Sequence, residues 1–163
     1  DKPLPENPDA YQELLRIERD LQIPMPDGIS YRSPKEDILD GRKYVIAKNS
    51  AQVHSIAFKK TEQGLKLTFC IGADSHTWEL EAHHGAWKFQ PLSITNDQGW
   101  ARYVWRNENL MECVVLIRDV LGSYRMIFYV GDDNSLCVDI YPVGWRDMNR
   151  SLEIFGMGYC WDA

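Results

Sequence analysis

The sequence has little positive charge and no long apolar run. Its 163 residues hold 18 lysine and arginine residues against 24 aspartate and glutamate residues, a net charge of −6. Nucleic-acid-binding domains ordinarily carry a basic stripe, so this acidic balance argues against a nucleic-acid partner and against an anionic membrane surface. No apolar stretch approaches the ~20 residues that cross a bilayer as a helix, so we expect no membrane span.

The motifs of common catalytic sites are also missing. The sequence contains no Gly-x-Ser-x-Gly, no Ser-x-x-Lys, no Gly-x-Gly-x-x-Gly and no glycine-rich phosphate loop. Acidic residues are plentiful, but no pair of them stands out for acid–base catalysis. We therefore predict no catalytic residue and no cofactor in this chain.

The cysteines are too far apart for a Cys-x-x-Cys metal or redox motif. Most of them lie in apolar, strand-like stretches, where a free cysteine behaves as a small hydrophobic residue. We interpret all four as reduced core residues: Cys70, Cys113, Cys137 and Cys160. Two disulfides in a secreted protein remain the alternative, because the number is even. Reduced cysteines favour a cytoplasmic location.

Histidine is scarce, and all but His54 lie between positions 76 and 84. His76 and His83 can face each other across a hairpin near Glu79 or Glu81, a donor set that suits a divalent metal. Their spacing matches no established metal site, and adjacent residues of a strand point to opposite faces, so His83 and His84 cannot share one ion without a bend. We interpret them as polar residues of an exposed hairpin and predict no metal site.

What the sequence does contain is a regular rhythm of short strands. Between positions 65 and 71, apolar residues alternate with polar or small ones, the two-residue period of a strand with one apolar face. Similar stretches occur before and after it at about ten-residue spacing, and turn-rich segments separate them. They are 44–47, 53–58, 77–82, 86–89, 102–105, 110–117, 124–130, 136–141 and 152–155. The pattern predicts a mainly β fold, an antiparallel up-and-down meander that closes as a lipocalin-like barrel, with a sandwich as second choice. We expect Gly156 and Gly158 to let the last strand bend and close the barrel.

The start of the chain has the composition of a linker followed by one helix. Three prolines occur within residues 1–8; Asn7 is a candidate N-cap, and Pro8 suits the first helical position. Apolar residues then recur at helical spacing and predict one amphipathic helix: Tyr11, Leu14, Leu15 and Leu21. Such a helix of about four turns is marginal alone and requires a surface to pack on. We divide the chain into a linker with an amphipathic helix, 1–40, and a β-barrel-like domain, 41–163.

Large aromatic residues are abundant, with six Trp, eight Tyr and five Phe. In a barrel they can line an interior cavity and hold a small apolar ligand. We select five as candidate ligand-binding residues: Trp78, Trp105, Tyr124, Phe128 and Tyr141. The alternative, which we favour, is that these side chains fill the core of a small barrel.

Several segments resemble the C-terminal part of some bacterial serine hydrolases. Residues 4–15, followed by 21–26, resemble the linker that comes after the catalytic domain in proteins of the penicillin-binding-protein/β-lactamase (class C-like) family. Residues 41–44, Gly-Arg-Lys-Tyr, resemble the first strand of the β-domain that follows in these proteins. Residues 101–110 resemble that domain's recurring strand start with the pattern Trp-x-x-x-x-Leu.

The resemblance implies a non-catalytic accessory domain whose partner is an upstream catalytic domain of the same chain. The family's Ser-x-x-Lys nucleophile would lie upstream, and the missing initiator methionine fits an excised domain. The helix would bridge to the catalytic domain, and the barrel would support that domain or shape access to its active site. The family context permits a secreted location. The alternative function is a free-standing, lipocalin-like binder of a small apolar ligand.

Overall fold

The computed structural model describes residues 7–20, 28–29, 31–49, 51–93, 97–118, 122–143 and 156–160. Within these ranges the chain forms two helices, which precede ten strands. The elements, in chain order, are α1 (Pro8–Asp20), α2 (Lys35–Leu39), β1 (Lys43–Ile46), β2 (Val53–Lys60), β3 (Gly64–Ile71), β4 (His76–His84), β5 (Lys88–Leu92), β6 (Asp97–Trp105), β7 (Leu110–Ile117), β8 (Ser123–Val130), β9 (Leu136–Val143) and β10 (Gly156–Cys160).

The N-terminal helix begins where the sequence predicts. The Asn7 side-chain oxygen accepts a hydrogen bond from the Ala10 N–H at 3.1 Å, which satisfies one of the free donors of the first turn. Tyr11 and Leu14 are 59% and 49% exposed, so these two residues of the apolar side of α1 remain largely open to solvent, whereas Leu15 is partly buried. Leu21, which we expected on the same side, lies outside the described residues. Neither helix in the described ranges is long and apolar enough to cross a membrane.

All ten strands belong to one sheet, which curves into a nearly closed barrel. Consecutive strands pair antiparallel from β1 to β4 and from β5 to β10. The last strand then pairs with the first, with Tyr44 opposite Cys160. The mainly β fold, the barrel-like closure and the preceding helix are therefore confirmed.

The barrel closes at a different place from a simple meander. β4 pairs with β6 in parallel, through His83 with Arg102 and His84 with Tyr103, because β5 reaches only part of the way along the seam. The seam therefore lies between β4 and β5, whereas the first and last strands are neighbours. This parallel contact departs from the purely antiparallel meander that the sequence predicts.

Side chains replace part of the backbone ladder at this seam. The Glu81 N–H donates to Gln90 Oε1 at 2.9 Å, and the Gln90 amide donates in return to the Glu81 carbonyl. The Glu79 N–H donates to Ser93 Oγ at 3.3 Å. Pro91 is the fourth of the five residues of β5, and it has no N–H to donate to a neighbouring strand.

Most strand boundaries agree with the sequence pattern, and two differ for local reasons. β5 begins later than predicted because Gly85, with φ 67°, turns the chain first. β6 begins earlier than the predicted strand 102–105, and it includes Gly99. A Cβ at Gly99 would lie 2.2 Å from the Leu116 carbonyl oxygen, so this glycine allows a close approach of two strands. The predicted strand 152–155 lies outside the described residues, and the last strand is β10.

The segment before β1 is part of the barrel's packing. Ser33, Glu36 and Leu39 are 2%, 1% and 0% exposed. They belong to residues 1–40, which we assigned to the linker with its amphipathic helix and which we call the lead-in. Leu39 belongs to the same apolar core as the inward side chains of β1 to β9. α2 covers one end of the barrel, and a cluster of buried polar groups around Glu36 lies beneath it.

Candidate interaction sites

The aromatic residues selected from the sequence are mostly buried, and they contact other core groups. Trp105 and Phe128 are fully buried, Trp78 is 6% exposed, and Tyr124 is partly buried against the core. Trp78 stacks on Phe69 with the ring centroids 4.7 Å apart. Tyr141 lies in β9, and its side chain is outside the described part of the structure. That these residues bind a ligand stays a prediction.

A row of edge-to-face aromatic contacts crosses the barrel interior. The Tyr44 and Phe58 rings are 5.9 Å apart, and the Phe58 and Phe128 rings are 5.6 Å apart. These separations and near-perpendicular planes are the favoured geometry of packed aromatic rings. Between these strands the interior is therefore occupied by side chains.

A buried carboxylate organises the barrel end beneath α2. Glu36 Oε1 accepts hydrogen bonds from the Tyr103 hydroxyl at 2.7 Å and from the Trp105 indole N–H at 2.8 Å. Its other oxygen forms an ion pair with the Arg32 guanidinium. A buried charge is tolerated only when it is paired and hydrogen-bonded, and these donors meet that requirement. We call these four residues the Glu36 cluster.

The Glu36 cluster also connects the lead-in to the turn between β2 and β3. Arg32 donates to the Gly64 carbonyl at 2.9 Å and to the Glu62 carbonyl at 3.3 Å. Burial, and the hydrogen bond to Glu36, raise the pKa of the Tyr103 hydroxyl, so this phenol stays protonated and remains a donor at neutral pH. The cluster is thus a fixed, saturated connection between lead-in and barrel, without a free catalytic group.

His84 lies beside this cluster. Its ring meets Tyr103 edge to face, with centroids 5.3 Å apart, and its Nε2 is buried with no hydrogen-bond partner among the described residues. Burial lowers the pKa of His84, because the charged ring would lose hydration and the negative charge of Glu36 only partly offsets that loss. The neutral imidazole is therefore the form that the fold favours.

The other histidines are not brought together. His76 lies at the exposed start of β4, where Asp74 is 3.8 Å away, and His83 lies at its far end, 3.5 Å from Glu81. His54 bonds to the Gly72 carbonyl. No group of three or more potential metal ligands occurs in the part of the chain that the structure describes.

The three cysteines whose side chains the structure describes are free thiols. Cys113 is fully buried, and Cys70 and Cys137 are partly buried; the side chain of Cys160 is not among those described. Burial, with a smaller contribution from the Glu112 charge, raises the pKa of the Cys113 thiol. Since the thiolate is the nucleophile, this cysteine is poorly suited to covalent catalysis.

The outer surface of β5, β6 and β7 carries an unusual concentration of aromatic residues. Phe89 is 46% exposed, and its ring lies 4.9 Å from that of Trp100, which in turn is opposite Leu116 on β7. Arg102 is two residues further along β6 on the same side, and its guanidinium lies over the Trp87 ring at 5.7 Å. We call these five residues the aromatic face.

An open groove runs along the seam between β4 and β5. Its volume is about 490 Å³, and its lining combines acidic, basic and neutral polar side chains with two apolar residues: Lys66, Thr77, Glu79, Leu80, Glu81, Gln90, Pro91 and Ser93. Lys66 of β3 and Glu79 of the neighbouring β4 form an ion pair at 2.8 Å within this lining. The second glutamate, Glu81, lies 3.6 Å from Lys88, so each carboxylate of the lining has a cationic neighbour and the groove favours no particular charged ligand.

Sequence reasoning missed Glu36, Arg32 and Arg102. Glu36 appeared as one acidic residue among many in a polar segment, and its partners lie 67 and 69 positions away. A signal was present in Trp100-Ala-Arg-Tyr-Val-Trp105, where an arginine alternates with large aromatic residues on a strand. That alternation places Arg102 and Trp100 on one face, and Tyr103 and Trp105 on the other.

Comparison of the sequence with protein-family models finds no match, and comparison with curated proteins finds none either.

Proposed function

We propose that this chain is a non-catalytic C-terminal accessory domain of a bacterial serine hydrolase of the β-lactamase and penicillin-binding-protein family, and that it packs on the upstream catalytic domain or shapes access to its active site. The observation that carries the proposal is a contrast within the lead-in. Residues 31–40 are held firmly on the barrel, whereas α1 keeps apolar side chains in solvent. The choice of partner rests on the resemblance of the linker and strand segments.

The lead-in is fixed to the barrel at several points. The Ile29 N–H donates to the Trp105 carbonyl at 2.7 Å, and the Ser33 hydroxyl donates to the Glu108 carbonyl at 2.6 Å. Glu36, which pairs with Arg32 inside the lead-in, also accepts hydrogen bonds from Tyr103 and Trp105 of β6. A domain connected through this segment would therefore be attached at a defined point of the barrel.

The exposed side of α1 supports docking on another domain. An isolated 13-residue helix is marginally stable in water, and most helices in proteins gain their stability from packing an apolar face. Tyr11 and Leu14 keep 59% and 49% of their surface exposed. Burial of the exposed halves of these two side chains would contribute about 1.5–3 kcal/mol, which a contact with a catalytic domain would supply.

The binder alternative has weaker support. Trp105 is hydrogen-bonded to Glu36 and Phe128 is packed on Phe58, so two of the five candidate lining residues are already engaged in the core. A ligand would have to displace these contacts.

Activity assays test the non-catalytic part of the proposal. The purified chain is supplied with a chromogenic β-lactam, a p-nitrophenyl ester and a D-alanyl-D-alanine peptide, with the full-length parent protein as positive control. We expect no turnover by the chain alone. Turnover that a serine-directed inhibitor abolishes would contradict the proposal.

Calorimetric titration of the separately expressed upstream domain with this chain tests the docking part. We expect Leu14→Ser to weaken binding at least about tenfold, because it removes an apolar anchor of the interface. Arg16→Gln is the matched control, since Arg16 is exposed on the opposite side of α1, where it pairs with Glu13. Equal binding by both variants, or no binding by the unaltered chain, would reject docking through α1.

A further inference from the structure

The aromatic face lies on the outer side of the sheet, away from the barrel interior. Its residues alternate with inward ones: Ala101 and Tyr103 are 0% and 1% exposed and point into the core, so Trp100 and Arg102 point out. Phe89 is 46% exposed, and Trp87, Trp100 and Leu116 are partly exposed. A cluster of large apolar side chains at the surface of a small domain commonly marks a protein interaction site. Tryptophan and arginine are also the residues that most often dominate such interfaces.

Arg102 is the unusual member of this face. Its Nε is buried and has no hydrogen-bond partner among the described residues. In the same part of the chain no carboxylate lies within 4.0 Å of its guanidinium, while Trp87 covers one side of it. Burial lowers the pKa of this guanidinium, which nonetheless stays charged at neutral pH. A desolvated donor without an acceptor carries a cost that a bound acceptor would remove.

The neighbouring carboxylates already have cationic partners. Arg102 is paired with Val114 of β7, and Glu112 lies two positions from Val114 on the same outer side of that strand. Glu112 is 3.0 Å from Arg106 and 2.7 Å from Arg125. Glu81 lies 3.5 Å from His83 and 3.6 Å from Lys88. Arg102 is therefore a positive charge without a described counter-ion, on an otherwise acidic protein.

We propose that the aromatic face docks a partner protein through an aspartate or glutamate side chain that pairs with Arg102 within an apolar contact. The face is the outside of a sheet and not an enclosed cavity, which suits a protein surface better than a small molecule. The carboxylate would accept hydrogen bonds from the guanidinium fork, while Trp87, Trp100 and Phe89 pack on the apolar residues around it. This inference goes beyond the proposed function, because it concerns a surface distinct from α1 and does not depend on a hydrolase partner.

Nuclear magnetic resonance of the ¹⁵N-labelled chain tests the pairing at the atom concerned. The chain is titrated with a short acetylated and amidated peptide that has one glutamate between leucine and phenylalanine residues, and with the same peptide carrying glutamine. We expect the glutamate peptide to shift the Arg102 Nε–H and Trp87 indole signals, and to bind at least about tenfold more tightly than the glutamine peptide. Equal binding of the two peptides, or no shift with either, would overturn the carboxylate pairing.

Variants show whether Arg102 is responsible. Arg102→Gln should weaken binding of the glutamate peptide at least about tenfold. Arg102→Lys should weaken it less, because the ammonium group keeps the charge but cannot reproduce the stacked, forked guanidinium. Arg118→Gln is the matched control, since that guanidinium already donates to Gln98. Thermal unfolding of each variant checks that the barrel is intact.

Two results would reject the proposal at this stage. One is unchanged binding by a folded Arg102→Gln chain. The other is binding of N-acetylphenylalanine as tight as that of the glutamate peptide, which would make the surface a small-molecule site and not a docking site.

Discussion

Glu36 holds the end of the barrel together through three donors. Its carboxylate is 1% exposed and receives donors from Tyr103, Trp105 and Arg32, which come from β6 and from the lead-in. Buried ion pairs of this kind add little net stability against an apolar replacement, but removal of one partner leaves the others uncompensated. We therefore expect the loss of one partner to lower the free energy of unfolding strongly, whereas replacement of the whole cluster by apolar residues would change it little.

We predict that Glu36→Gln lowers the free energy of unfolding by about 3–5 kcal/mol, because the charge that pairs with Arg32 is lost while its guanidinium stays partly buried. Urea denaturation followed by tryptophan fluorescence measures the change. Asp37→Asn, on the same helix, is the control: its ion pair with Lys60 is exposed, so we expect a loss below about 1 kcal/mol. A loss for Glu36→Gln no larger than that of the control would show that the cluster does not hold the lead-in.

His84 gives a prediction about pH. Its pKa is lower in the folded protein than in the unfolded chain, because burial disfavours the charged ring. The contribution of the neutral ring to the free energy of unfolding is therefore fully present above the pKa of histidine in the unfolded chain, ~6.5. It is lost as the pH falls below that value. The groups that face this histidine are Tyr103, Glu36, Arg32 and Arg102.

We expect His84→Gln to lose less stability than the unaltered chain between about pH 7.5 and about pH 5.5, because the variant has no ring to protonate. Urea denaturation at both values measures this difference, and His76→Gln, at an 82% exposed position, is the control. An identical pH dependence for the His84 variant and the unaltered chain would contradict the assignment.

At the scale of elements, the attachment of the lead-in to β6 depends on the absence of one side chain. A Cβ at Gly28 would lie 2.6 Å from the Trp105 carbonyl oxygen and 3.0 Å from the Val104 Cβ. The same carbonyl accepts the hydrogen bond from the Ile29 N–H. The lead-in can therefore approach β6 closely only with glycine at this position.

We predict that Gly28→Ala destabilises the chain by about 1–3 kcal/mol, since the methyl group forces the lead-in away and breaks that hydrogen bond. Hydrogen exchange of the Ile29 amide should become faster in the variant. Gly122→Ala is the control, because a Cβ there meets nothing within 4 Å. Unchanged protection of the Ile29 amide would refute the steric explanation.

At the scale of the whole molecule, the described residues form a packed barrel and a helix, α1, on which Tyr11 and Leu14 remain largely exposed. Leu39 is 0% exposed in the core, whereas Leu14 is 49% exposed on α1. Two leucines of one chain should therefore respond differently to the same substitution. This difference distinguishes a position in the packed core from a position on the exposed side of α1.

We predict that Leu39→Ala costs about 2–5 kcal/mol of unfolding free energy, because it leaves a cavity in the core. Leu14→Ala should cost less than about 0.5 kcal/mol, as is usual for an exposed position. Thermal and urea unfolding of the two variants give both values. A cost for Leu14→Ala that approaches that of Leu39→Ala would mean that α1 packs on the barrel, and would argue against its availability for another domain.

The sequence alone determined the features that depend on near neighbours in the chain. The alternation from Leu65 to Ile71 predicts a strand, and Asn7 with Pro8 predicts the helix start, because pleat and cap are properties of a few consecutive residues. The tertiary structure decided the rest. It set the seam between β4 and β5, the burial of Glu36 and the position of Arg102 among tryptophans, since each requires groups far apart in sequence to meet in space. No local pattern specifies such meetings, because burial and missing partners are properties of the folded surroundings of a residue.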